Sequence, residues 1–178
     1  MPCVRHKTMI SIRDEQTQDI PTIREVNIKA FGQPEEADLV DKLRQNCNDL
    51  LSLVAVKGGQ VVGHILFSPA TIESEDRAVQ GMALAPMAVL PDYQRQRIGA
   101  ELIRTGISEL ESRGCPFVIV LGHAGYYPRF GFEPASRHGI RSEWKVPDDA
   151  FMILVLNESE IQGISGVARY RPEFTEAL

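Results

Sequence analysis

The chain has 178 residues, 43% hydrophobic and 24% charged, enough length and apolar content to bury a core without covalent staples. A formal net charge of −5 and an isoelectric point near 5.4 argue against a nucleic-acid binder and suit a cationic or amine-bearing partner. Cys3, Cys47 and Cys115 are too scattered for a disulfide framework or a CxxC metal site, and no apolar run approaches the roughly 18 residues of a membrane span, so a cytoplasmic protein with reduced thiols is expected.

Residues 1–8 are polar and patternless and read as a disordered leader, which leaves 9–178 as one domain. Met9-Ile10-Ser11-Ile12-Arg13 alternates like a first strand. Asp19 stands where a helix cap belongs, ahead of Ile20, Ile23, Val26 and Ile28. That helix is expected to reach about Phe31, where Gly32-Gln33-Pro34 breaks it. A second helix is expected from Glu35 to Asn48, with Ala37, Val40, Leu43 and Cys47 on one stripe. Glu35, Glu36, Asp38 and Asp41 form its acidic face, either plain solvated surface or an attractor for an amine.

Ser52 to Val56, Gly58-Gly59 and Gln60 to Pro69 read as a β-hairpin, continued towards Glu73 and the charged turn Ser74-Glu75-Asp76-Arg77. Val79 to Val89 is the next strand. Pro86 inside it removes a ladder donor and predicts an edge, a bulge or a splayed position. Leu90 to Ala100 is a polar strand-to-helix turn, followed by Ile98, Leu102, Ile103, Ile107 and Leu110 at the spacing of one helix face. Gly114 and Pro116 end that helix. Phe117 to Leu121 is a compact strand, Ala124 to Phe130 a short helix ended by Gly131, and Phe151 to Leu156 a last clear strand. Arg137 to Asp149 reads as a loop, and Gly163 to Phe174 as the place of one more strand.

The helix N-terminus opened by the polar turn leaves backbone N–H groups unpaired and carries partial positive charge, which suits a phosphate. Gly99 permits close approach, and Arg95 and Arg97 add full charge; the alternative is an ordinary turn with solvated arginines.

Gln94-x-x-Arg97-x-Gly99-Ala100 resembles the acetyl-CoA signature of the GNAT acetyltransferase superfamily, with Arg97 standing where the signature has its first glycine. A side chain there is expected to need a negative φ and leaves less room for the pyrophosphate. Tyr126-Tyr127-Pro128-Arg129-Phe130-Gly131-Phe132 is similar to the Tyr-x-x-x-Gly-Phe element that closes the family's cofactor site. The element order from Met9 to about Leu156 also resembles the family's. The resemblance implies an α/β fold of α+β type, with a mixed, mainly antiparallel sheet, a splayed strand pair and helices on both faces. It implies acetyl-CoA as co-substrate, held by Gln94, Arg95, Gln96, Arg97, Ile98, Gly99 and Ala100, with the pantetheine arm against the backbone of Met87, Ala88 and Val89. No metal is implied.

Acetyl transfer to an amine requires the amine to be neutral. An alkylamine near pKa 10.4 costs about 4.6 kcal/mol to deprotonate at pH 7, and an α-amine near 8 about 1 kcal/mol. A glutamate on the strand before the turn serves many relatives as base, but Val79 to Val89 contains no acidic residue. His123, His64 and Glu73 are the remaining candidates; a histidine such as His64 in an apolar strand is commonly structural. The departing thiolate needs a proton, and the resemblance assigns that role to Tyr127. Adjacent Tyr126 is expected to pack on Phe130 instead. Backbone donors near Val89 are expected for the oxyanion. Cys115 has no histidine near it in sequence and is not expected to carry an acyl group. The leading function is thus an acetyl-CoA-dependent N-acyltransferase attacking directly in a ternary complex. The alternative is an inactive CoA-binding sensor or protein-interaction module on the same fold. The acceptor, an amine on a small molecule or on a protein, is expected against the first two helices, the Arg137 to Asp149 loop or the turn near Ser74. Homodimerisation is left open.

Overall fold

The computed structural model describes residues 9–177, so the expected leader lies outside them. Strand β1 (Ile10–Asp14) is followed by helices α1 (Ile20–Phe31) and α2 (Glu35–Asn46). Strands β2 (Leu51–Lys57), β3 (Gln60–Glu73) and β4 (Ala78–Val89) then run as an antiparallel meander. Helix α3 (Ile98–Ser112) leads to β5 (Phe117–Leu121), β6 (Glu133–Pro134), β7 (Ile140–Ser142) and β8 (Phe151–Val155). Helix α4 (Glu158–Ile161), β9 (Gly166–Arg169) and α5 (Pro172–Glu176) complete the described chain. The sheet order is β1-β2-β3-β4-β5-β8-β6, and β9 pairs with both β3 and β7.

Period-two alternation divides the core between the two faces of the sheet. Val54 packs with Ile23, Val26 and Leu43 under α1 and α2, whereas its neighbours Leu53 and Ala55 pack with Ile98, Leu102 and Ile103 of α3. Helices therefore cover both faces, as the resemblance implies. The hairpin glycines Gly58 and Gly59 have φ of 59° and 76°, the left-handed pair that a tight two-residue turn requires.

Strand β4 positions the site. Ile65 faces Met87 but Phe67 faces Leu84, so Ala85 and Pro86 together oppose Leu66 in a bulge. On its other edge β4 pairs in parallel with β5 only at Met82–Val118 and Ala83–Ile119. Beyond Ala83 the two strands part, and Pro86, which has no N–H to offer a ladder, lies in the divergent stretch. Of the edge, bulge or splayed position expected from Pro86, the bulge and the splay are present, and the edge is not, because β4 lies between β3 and β5.

Four local expectations change. Asp19 stands at the start of α1, but its carboxylate accepts from the Arg13 guanidinium (2.6 Å) and from the Gln16 backbone N–H (2.8 Å) rather than capping the helix. Helix α2 ends at Asn46, before the extended Cys47. The short helix expected from Ala124 is only a 3-10 turn over Tyr127–Phe130: the N–H groups of Tyr126 and Tyr127 both return to the His123 carbonyl, and Pro128 supplies no donor. The Arg137 to Asp149 stretch is not loop throughout, because β7 forms there against β9, a partner distant in sequence.

Candidate active site

The turn after β4 builds an electropositive cavity. The first helical bond of α3 runs from the Glu101 N–H to the Arg97 carbonyl (3.0 Å), and no side chain caps the terminus. The N–H groups of Ile98, Gly99 and Ala100 are thus left without helical partners. A cavity of about 510 Å³ adjoins them, lined by Arg95, Arg97 and Arg129 among others and bounded by Tyr126. Of the cofactor residues expected from the sequence, Met87, Ala88, Val89, Gln94, Arg95, Arg97, Ile98, Gly99 and Ala100 all line it. Gln96 is the exception: it accepts from Lys57 Nζ (3.0 Å) and donates to the Asp92 carbonyl.

Arg97 adopts φ +65°, not the negative φ expected, and Arg95 has φ +62°. Each left-handed residue with a side chain costs about 1–2 kcal/mol. The turn keeps the curvature that glycine would give it and substitutes two guanidinium groups. A Cβ on Gly99 would lie 3.2 Å from the Tyr126 hydroxyl and 3.3 Å from the end of Met87, so the backbone is approached closely there.

The splayed edge of β4 presents polar groups to the same region. The Leu90 N–H donates to the Val62 carbonyl (2.9 Å), and Gly63 faces Val89. Hydrogen-bonded pairs alternate along an antiparallel ladder, so Met87 and Val89 turn their backbone groups away from β3 and into the gap beside β5. The Val89 carbonyl accepts from Gln94 Nε2 (3.0 Å), which ties the turn to the strand end.

Tyr127 is 8% exposed and lies edge-on to both Tyr126 and Phe132. Gly122 makes room for it, since a Cβ there would sit 2.5 Å from the Tyr127 ring. Burial, and then the neighbouring Tyr126, push the Tyr127 phenol up to about 12. At neutral pH it is a protonated donor. Tyr126 packs edge-on against Phe130 at 5.3 Å, as the sequence leads one to expect, while its hydroxyl reaches the Gly99 turn.

Tyr127 also borders a second cavity of about 570 Å³, walled by Phe31, Leu84, Trp144, Tyr170 and Phe174, with Glu35 and Glu36 at its rim. Met87 lines both cavities, so they are neighbours beside the splayed strand. Phe31 and Trp144 come from the first helix and the Arg137 to Asp149 stretch, two of the three places expected for the acceptor; the turn near Ser74 borders a different cavity. The contributions of Tyr170 and Phe174 were not legible in the sequence, because the tail carries no motif.

The three candidate bases stand apart. His64 is fully buried on β3, away from both cavities. Asn27 Nδ2 donates to its Nδ1 (3.1 Å) while also donating to the Ile23 carbonyl. His64 Nε2–H therefore donates to Ser52 Oγ (2.9 Å), whose own proton goes to Glu15. Burial, and then the Arg44 charge, lower the imidazole to about 3. Glu73 pairs with Arg169 Nε (3.2 Å) on the side of the turn near Ser74. His123 is solvent-exposed just ahead of Tyr126, and its carbonyl anchors the 3-10 turn.

Residues 11–135 match the family model described as an acetyltransferase (GNAT) domain. The chain is 47% identical over 134 residues to the uncharacterised N-acetyltransferase YjhQ of Escherichia coli K12, which covers 74% of each chain. It is 35% identical to the uncharacterised N-acetyltransferase YhbS of the same strain, over 92% of this chain and 97% of that one. The crystal structure of E. coli YhbS with CoA superposes with a TM-score of 0.88 at 31% identity, covering 98% of this chain and 96% of that one. A Brucella melitensis GNAT acetyltransferase in complex with acetyl-CoA superposes at 0.74 with 34% identity, covering 94% and 99%. With its mixed, mainly antiparallel sheet, helices on both faces and uncapped basic turn after the splayed strand, the chain belongs to the GNAT superfamily and is an N-acetyltransferase.

Proposed function

We propose that the protein transfers the acetyl group of acetyl-CoA to a primary amine by direct attack in a ternary complex, with Tyr127 as general acid. The observation that carries this reading is the position of Met87, which lines both a cavity with three arginines and a cavity rimmed by two glutamates beside a protonated tyrosine. The solved relatives with CoA and acetyl-CoA support the choice of co-substrate. Acetyl-CoA supplies an activated acetyl thioester and a phosphate-rich handle.

The residues present fit that molecule. The free N–H groups of Ile98, Gly99 and Ala100, with Arg95, Arg97 and Arg129, suit its phosphates. The outward backbone groups of Met87 and Val89 suit its amides, and the Val89 N–H is the natural oxyanion donor. Gln94 positions Val89 through its carbonyl. Tyr127 holds the proton that the leaving sulfur takes. Against a thiol near 8.5, a phenol at about 12 is a reluctant donor by about 5 kcal/mol, so positive charge developing on the amine nitrogen nearby must assist it. His123, exposed to solvent, is the proposed base and takes the amine proton through water. Among the described residues Cys47 and Cys115 form no disulfide, in keeping with a reducing, cytoplasmic setting.

The test is a calorimetric titration with acetyl-CoA and with CoA. One-to-one binding in roughly the micromolar range, about −8 kcal/mol, is expected. Absence of binding at millimolar acetyl-CoA would refute the proposal.

A further inference from the structure

We infer, resting on the acetyl-transfer reading above, that the acceptor is a small primary amine carried on a compact aromatic or branched apolar body. Neither a lysine on a protein surface nor a strongly hydrophilic amine fits the cavity as well. Its volume, about 570 Å³, is that of a pocket for a small organic molecule. Phe31 and Leu121 are 41% and 39% exposed, the two exposed large apolar side chains besides Met9 among the described residues, and both line this cavity. Exposed apolar groups that converge on one concavity mark a surface kept for an apolar ligand.

The inner wall is aromatic. Trp144 and Tyr170 lie tilted by 40° with ring centroids 4.7 Å apart, and the Phe174 ring stands edge-on to Tyr170 at 5.0 Å. Tyr170 brings a wholly buried hydroxyl with no partner among the described residues, an unspent hydrogen-bonding group in that wall.

Charge at the rim fixes the sign of the ligand. Among the described residues no Lys, Arg or His lines the cavity, whereas Glu35 and Glu36 do. Gln33 Nε2 donates to both Glu36 carboxylate oxygens (3.0 and 3.2 Å) and holds that group at the first turn of α2. The alkylammonium form is drawn to the rim by these carboxylates. Between apolar walls the ammonium then loses solvation, which lowers its pKa and favours the neutral amine that attacks. In the transfer a C–N bond forms and the C–S bond breaks. The nitrogen gives up one proton and the sulfur takes one, so the products are the N-acetylated amine and CoA with a free thiol.

The experiment begins with calorimetry of acetyl-CoA on the full chain. It continues with thiol release measured for 2-phenylethylamine, ethanolamine and an N-terminally blocked lysine peptide. The inference expects kcat/KM for 2-phenylethylamine at least tenfold above the other two. A Glu35→Gln, Glu36→Gln double variant, altered only at the rim, is expected to raise KM for that amine about tenfold and leave KM for acetyl-CoA unchanged. If acetyl-CoA binds and ethanolamine or the peptide is the better acceptor, or none is acetylated, the acceptor class is wrong while the cofactor reading survives. An unchanged amine KM in the double variant removes the role given to the carboxylates. If acetyl-CoA does not bind, the acetyl-transfer reading itself falls.

Discussion

His64 and Tyr127 are both buried, both titratable, and both candidates for catalysis from the sequence, yet their surroundings are opposite. Every polar atom of the His64 ring is matched, by Asn27 on one side and Ser52 on the other, and the ring and Asn27 are fully buried. The Tyr127 ring packs edge-on against Tyr126 and Phe132 with no hydrogen bond to its hydroxyl among the described residues, and it borders a cavity built from segments far apart in the chain. Burial by itself therefore does not separate a structural group from a functional one. What separates them is whether the polar atom is already satisfied.

The contrast predicts that the two groups fail in different assays. For His64 the folded pKa of about 3 lies below the unfolded value of 6.5, so the unfolded chain binds the extra proton first. The stabilisation is complete above pH 6.5 and lost as pH falls towards 3. Between pH 6.5 and 4 the unfolding free energy should drop by about 3 kcal/mol from this group, read by urea unfolding at each pH. A flat profile over that range would mean that the ring is not sealed. Tyr127→Phe should lower kcat by about 10² or more, near 2.7 kcal/mol, with acetyl-CoA affinity and melting temperature little changed. Loss of affinity in step with rate would make Tyr127 a binding residue instead.

Smaller changes sharpen the same contrast. Ser52→Ala leaves His64 Nε2–H unpaired and should cost about 1–2 kcal/mol of stability without changing kcat. Arg97→Gly relieves a left-handed side chain and should raise stability by up to about 1 kcal/mol while weakening acetyl-CoA binding several-fold, because a charge leaves the basic cavity. Equal affinity in that variant would return Arg97 to ordinary solvated surface.

A raised phenol adds a check at the alkaline end. Tyr127 at about 12 lies above its unfolded value near 10, so its neutral form stabilises the fold below pH 10 and that contribution fades as pH rises towards 12. Activity limited by a phenol that must stay protonated should therefore persist to high pH. A pH–rate profile for kcat shows this directly.

The sequence by itself determined the parts that are continuous along the chain. The meander with its Gly58-Gly59 turn, the break in regular pairing at Pro86, the basic turn and the face of α3 are each written in adjacent residues, whose spacing follows from the periods of strand and helix. The lining of the basic cavity was legible for that reason, and Tyr127 stood out as a member of a motif. Tertiary structure alone decided the left-handed φ of Arg95 and Arg97, which the closing of the turn onto α3 imposes. It decided that His64 meets Asn27 across 37 positions. It also built the aromatic cavity from Phe31, Leu84, Trp144 and Phe174, residues that share no period and no motif. Local pattern records what a segment buries, but the partner it is buried against belongs to the fold, and the aromatic cavity consists only of such partners.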